Sequence, residues 1–107
     1  MTGFIYLWRD RKHNRYYIGS HWGTVDDGYI CSSTWMRNAH KRRPDDFKRR
    51  ILEFVEDREK LNDRENAWLS RINDEELGKR YYNLYNRKTN HWSRYEGKKK
   101  AVAEKCR

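Results

Sequence analysis

Three side chains stand out for the chemistry that their positions allow. From Leu61, steps of four, three and four residues reach Glu65, Trp68 and Ile72, so a carboxylate lies on an otherwise apolar helical stripe. An ionised carboxyl group is expensive to bury alone, and such a position calls for a cation, an arginine or a metal as partner. Tyr6 and Tyr17 fall in the middle of two short β-prone runs with ten residues between them. On adjacent antiparallel strands such residues can sit side by side. Two phenols and a carboxylate could together move a proton and seat a cation. Tyrosines on strands are also ordinary packing residues and buried carboxylates ordinary ion-pair members, so the flanking residues must decide.

The elements that position these groups follow from the pattern along the chain. Phe4-Ile5-Tyr6-Leu7-Trp8 and Tyr16-Tyr17-Ile18-Gly19 predict two strands, joined as a β-hairpin by the polar stretch Asp10 to Asn14, where Asn14 accepts left-handed turn geometry. Residues 20–33, with Gly23 and Asp26-Asp27-Gly28, predict a loop. Ser32 or Ser33 then caps a helix over 34–43, which Pro44 stops. Apolar residues at 47, 51, 52, 54 and 55 fit either a helix or a buried strand. A helix over 57–72, capped by Asp57, carries the Glu65 stripe with Leu61, Trp68, Leu69 and Ile72. Tyr81 to Tyr85 reads as an extended or irregular aromatic cover for the core.

A chain of 107 residues supports one core. The apolar share, 36% against 38% charged, would suggest disorder were it not rich in large aromatics, which are 15% of the chain and bury much area each. The formal net charge of +9 points to a polyanionic partner. The excess is uneven: residues 1–86 hold 17 basic and 14 acidic side chains, and residues 87–107 hold 8 basic against 2 acidic. A domain over 1–86 followed by a basic tail over 87–107, loose or briefly helical, is therefore expected, the tail contacting nucleic acid. Cys31 and Cys106 lie far apart and form no paired motif, so neither a disulfide framework nor a cysteine-based zinc site is implied, and a reducing, intracellular setting fits. The start of the chain lacks the pattern of a signal peptide, and no apolar run reaches membrane-spanning length. A soluble, cytoplasmic protein is expected.

The flanks of the two tyrosines resemble the GIY-YIG nuclease family. Phe4-Ile5-Tyr6 stands for its first triplet, with Gly3 one residue early, and Tyr17-Ile18-Gly19 matches its second. Gly28-Tyr29-Ile30-Cys31-Ser32-Ser33, Phe47 to Phe54, Asp63-Arg64-Glu65-Asn66-Ala67-Trp68-Leu69 and Tyr82-Asn83-Leu84 follow in the family's order. Together they are far more specific than any single triplet. The resemblance implies an α+β fold with a small three-stranded antiparallel sheet flanked by helices, and makes 47–55 the third strand.

It also implies site residues. Tyr6 and Tyr17 become the active-site tyrosines, Glu65 the metal ligand and Asn83 a supporting polar residue. Arg37 becomes the catalytic arginine, because it lies three residues before His40 and so approximates the family's arginine–histidine pair. His21 is a further candidate for substrate contact or proton transfer. Arg42, Arg43 and the run Lys98-Lys99-Lys100 are the expected nucleic-acid contacts. The implied reaction is phosphodiester hydrolysis in DNA with one divalent ion, Mg²⁺ or Mn²⁺, since magnesium suits a lone carboxylate completed by water. A phage or mobile-element enzyme of homing-like or nicking type is expected, phage-encoded in a bacterial host. The alternatives are a structure-specific repair-type nuclease that acts with a partner and a non-catalytic nucleic-acid-binding module. No separate recognition module fits after Asn86, so specificity would come from a protein partner or a homodimer.

Overall fold

The computed structural model describes residues 1–86. Strands β1 (Thr2–Asp10) and β2 (Arg15–Gly23) form the hairpin, and helix α1 (Thr34–Arg42), strand β3 (Phe47–Val55) and helix α2 (Arg58–Leu69) follow. Short 3-10 turns cover Pro44–Asp46 and Asp74–Glu76. The fold is α+β, and β3 pairs antiparallel with β1, giving the sheet order β2-β1-β3.

Local chemistry accounts for each boundary. Asn14 takes φ 53°, the left-handed conformation that the β1–β2 turn requires. Ser33 caps α1, its hydroxyl accepting from the Met36 N–H at 3.2 Å, and Pro44 opens the 3-10 turn that leads into β3. Asp57 caps α2 by accepting from the Glu59 N–H at 2.9 Å.

Two expectations are corrected. Ser20 to Gly23 continue β2 instead of opening a loop, because Gly3↔Trp22 and Ile5↔Ser20 extend the ladder along the whole of β1. Helix α2 ends at Leu69, three residues early, and Ile72 reaches the core from the turn beyond it, fully buried.

Because β1 is the central strand, both of its faces are covered. Phe4, Tyr6 and Trp8 point to the side of α1, where they pack with Tyr17, Met36, Ala39, Phe47 and Tyr82. Ile5 points to the side of α2 and packs with Ile18, Val55, Leu61, Leu69 and Ile72. Each such aliphatic side chain contributes about 1.5–3 kcal/mol when withdrawn from water. The outer edge of β2 is closed by the segment after α2: Tyr82 N donates to Tyr16 O at 2.7 Å, and Tyr16 N donates to Arg80 O at 2.9 Å. The tail over 87–107, with Lys98, Lys99 and Lys100, lies outside the described residues.

Candidate active site

The two tyrosines share a face through a diagonal, not a direct, pairing. Tyr6 is opposite Gly19 and Trp8 opposite Tyr17, so the phenols are offset by one pleat, with ring centroids 6.2 Å apart and planes tilted by 33°. Both are buried, and Tyr6 is 1% exposed. Burial pushes the Tyr6 phenol far above its ordinary range, reinforced by the neighbouring Tyr17 and Tyr29. Burial also raises Tyr17 to about 12, against the opposing effect of its hydrogen bond with Ser32.

A third phenol completes the group. Tyr29, half-buried, meets Tyr6 edge-on at 6.4 Å, and the hydroxyls of Tyr6 and Ser32 act on its phenol, both opposing the rise that burial causes. Ser32 Oγ lies 3.2 Å from the Tyr17 hydroxyl, so Ser32 is hydrogen-bonded to one of the three phenols and acts electrostatically on Tyr29. Burial raises the Tyr29 phenol as well. The other side of its ring stacks on His21 at 3.9 Å with the planes 5° from parallel, and His21 Nε2 lies 2.7 Å from Asp27 Oδ2. His21 thus buttresses the third phenol. Neither Tyr29 nor Ser32 was singled out by the sequence reasoning, although both sit in the Gly28–Ser33 segment that the resemblance aligned. No periodicity marks a residue in such a loop.

Glu65 comes from the opposite side of the sheet. Its half-buried carboxylate accepts from Ser20 Oγ at 2.8 Å. Because β2 is an edge strand, Glu65 on the α2 side and Tyr17 on the α1 side both line a cleft of about 380 Å³ along that edge. The charge of Glu65 acts on Tyr17 and Tyr29, raising both. The N-terminal turn of α1, Ser33 to Trp35, forms another wall, and it carries no acidic residue to oppose an anion.

Among the described residues, no group of three or more His, Cys, Asp or Glu side chains converges on one point. A metal here would therefore have one protein carboxylate, Glu65, beside a serine hydroxyl. That donor set fits a hard, water-rich ion such as magnesium and not a zinc site, which needs three or four nitrogen or sulfur ligands.

Asn83 also lines this cleft. Its Oδ1 accepts from Ile18 N at 2.9 Å and its Nδ2 donates to Ile18 O at 2.8 Å, taking the place of a neighbouring strand at the residue between Tyr17 and Gly19. Arg37 is exposed on α1 and donates to the Cys31 carbonyl at 3.2 Å, beside the loop that carries Tyr29 and Ser32.

Other predicted residues lie elsewhere. His40 packs edge-on against Trp8 at 5.1 Å and Phe47 at 5.4 Å, where burial lowers its pKa; it is not brought to the Tyr17–Glu65 cleft. Arg43 is committed to Asp10, at 2.8 and 3.0 Å, and to Asp46, at 2.9 Å. Arg42 is exposed on the last turn of α1. No helix of the described residues is long and apolar enough to cross a membrane.

The family model for the GIY-YIG catalytic domain matches residues 2–77, from the first residue of β1 through the second 3-10 turn. No curated protein and no solved structure matches the chain.

Proposed function

The chain belongs to the GIY-YIG catalytic-domain family and so carries a nuclease domain whose substrate is DNA; on that premise we propose that it is a metal-dependent endonuclease of phage or mobile-element type, working as a homing-like or nicking enzyme in the cytoplasm of a bacterial host. The observation that carries this reading is the meeting of Tyr17 and Glu65 in one cleft, with Ser32 hydrogen-bonded to Tyr17 and the ring of Tyr6 packed against those of Tyr17 and Tyr29.

Glu65, oriented by Ser20, holds the divalent ion, Mg²⁺ or Mn²⁺. When bound, that ion supplies positive charge at the scissile phosphate and at the departing 3′ oxygen. The protein's own groups do the rest. Tyr17, as its phenolate, takes the proton of the attacking water and becomes the phenol, with Ser32 holding its orientation and Tyr6 behind it. A phenol raised to about 12 is almost wholly protonated at neutral pH, so this role depends on nearby positive charge that favours phenolate. Arg37 supplies such a charge and pairs with phosphate oxygens through its planar fork. His21 fixes Tyr29 by stacking, and Asn83 holds the β2 edge in place.

The 8 basic side chains of residues 87–107, together with Arg42, supply phosphate contacts that position the duplex without reading its sequence. Specificity then comes from a partner protein or a second copy of the chain.

Nicking of supercoiled plasmid by the native chain, with and without magnesium and compared with Glu65→Ala, tests the proposal. Magnesium-dependent nicking that the variant loses supports it. Binding without cutting by either protein would mark a nucleic-acid-binding module, and normal cutting by Glu65→Ala would remove Glu65 from the site.

A further inference from the structure

The cleft that holds Tyr17 and Glu65 has an aromatic end that the cutting chemistry does not use. Trp35, Tyr82 and Tyr85 line it together with Leu84. Trp35 is 41% exposed although it is among the largest apolar side chains, and the α1 contribution to the core comes from Met36 and Ala39, both essentially buried. The fold therefore does not need the indole for packing. Its ring is nevertheless held: Tyr82 meets it edge-on at 4.6 Å, and the Arg15 guanidinium lies 4.9 Å from its centroid while donating to the Lys79 carbonyl at 2.7 Å. The guanidinium lies over one face of the indole, and a fixed, partly exposed π-surface with a cation this close is the arrangement that binds flat aromatic rings attached to phosphate.

We propose that this end of the cleft receives an unpaired nucleobase of the strand being cut, stacked on Trp35, so that the preferred substrate is DNA with a bulge, mismatch, flap or single-stranded segment at the scissile phosphate. The inference rests on the reading of Tyr17 and Glu65 as the cutting site. In an intact duplex every base is stacked inside the helix and must be extruded before it can enter a side cleft beside its own backbone phosphate. A base already unpaired enters without the cost of unstacking, a few kcal/mol in a paired helix.

The test uses the full chain and a duplex carrying a single bulged 2-aminopurine, with a fully paired duplex of the same sequence as comparison. Binding is measured without added metal, on Glu65→Gln, and cleavage with magnesium on the native chain. Stacking on Trp35 quenches the 2-aminopurine fluorescence, and Trp35→Ala removes the quench and weakens binding of the bulged duplex about tenfold, while Trp35→Tyr restores both. Thermal melting of both variants checks that they fold. Cleavage of the bulged duplex exceeds that of the paired one, and Trp35→Ala brings the ratio towards one.

An unchanged quench in Trp35→Ala, or equal binding of bulged and paired DNA, overturns the proposal. Equal cutting of both duplexes with no quench overturns it while leaving the nuclease reading intact. A Trp35-dependent quench with no cutting of any DNA supports the base site and removes the nuclease reading. A self-association that Trp35→Ala abolishes, with no fluorescence response, overturns the base site and assigns the surface to a second copy.

Discussion

The phenol of Tyr6 occupies the space that a side chain on Gly19 would fill. A β-carbon built on Gly19 lies 2.5 Å from the Tyr6 hydroxyl oxygen, 2.7 Å from its Cζ and 2.9 Å from Cε2 of Tyr17. The last residue of the second family triplet is thus a glycine because the tyrosine of the first lies across it, on the strand beside it.

Gly19→Ala follows directly. Alanine suits a strand at least as well as glycine, so a simple propensity argument predicts a neutral or stabilising change. The clash predicts the opposite: Tyr6 and Tyr17 must shift, and a displacement of about 1 Å at reacting groups can cost about a hundredfold in rate. The expected outcome is a fall in kcat of that order, with a far smaller loss in melting temperature. Full activity in Gly19→Ala would show that the position of Tyr6 does not matter to cutting.

Tyr29→Phe removes the hydroxyl that interacts with Tyr6 and Ser32 and keeps the ring stacked on His21. We expect kcat to fall about tenfold with little change in KM, in line with the loss of a group that organises proton transfer. Steady-state kinetics on a short duplex separate the two parameters; a change in KM alone would place Tyr29 in substrate binding instead.

The pH profile carries its own sign. Tyr17 is raised to about 12, so below that value its phenol stays protonated and the phenolate fraction grows about tenfold for each unit of rising pH. If Tyr17 takes the proton of the attacking water, the rate climbs with pH from about 7 to about 9, and Tyr17→Phe removes the climb together with most of the activity. A flat profile over that range at saturating magnesium would rule out a phenolate with so high a pKa.

Asp10 gives a prediction about stability. It is fully buried, which raises its pKa, but hydrogen bonds from Arg43 and Tyr82 more than offset this and hold it well below the usual carboxylate range. A depressed folded-state pKa contributes stability above the unfolded value of about 3.9 that is lost as pH falls through the folded one. The native chain should therefore lose melting temperature below about pH 4. Asp10→Asn should be less stable by about 2 kcal/mol at neutral pH, with the gap narrowing in acid. Parallel melting curves at neutral and acid pH would not fit this network.

Asn83→Ala leaves the Ile18 N–H and C=O without the amide that now satisfies both. Unmet buried groups cost about 1–3 kcal/mol each, so a loss of about 2–6 kcal/mol is expected from the shift in urea midpoint at unchanged slope. A shift well under 1 kcal/mol would mean that water replaces the amide at no cost.

The sequence by itself determined the β-hairpin, the cap at Asp57, the turn at Asn14 and the family, because these depend on local backbone preferences and on short motifs whose residues are neighbours in the chain; it left the first cap between Ser32 and Ser33, and made 47–55 a strand only through the order of the family's motifs. Glu65 was conspicuous for the same reason: a carboxylate on an apolar stripe is visible in one helix alone. Only the tertiary structure decided that Tyr6 rests on Gly19, that β2 runs on to Gly23 against β1, and that Tyr29 and Ser32 join the tyrosines. It also put Glu65 beside Tyr17 from the other side of the sheet, which depends on β2 being an edge strand. It committed Arg43 to Asp10 and set His40 between Trp8 and Phe47. These relationships join residues far apart in sequence through strand order and packing, and local pattern holds no record of which distant side chain will fill a given space.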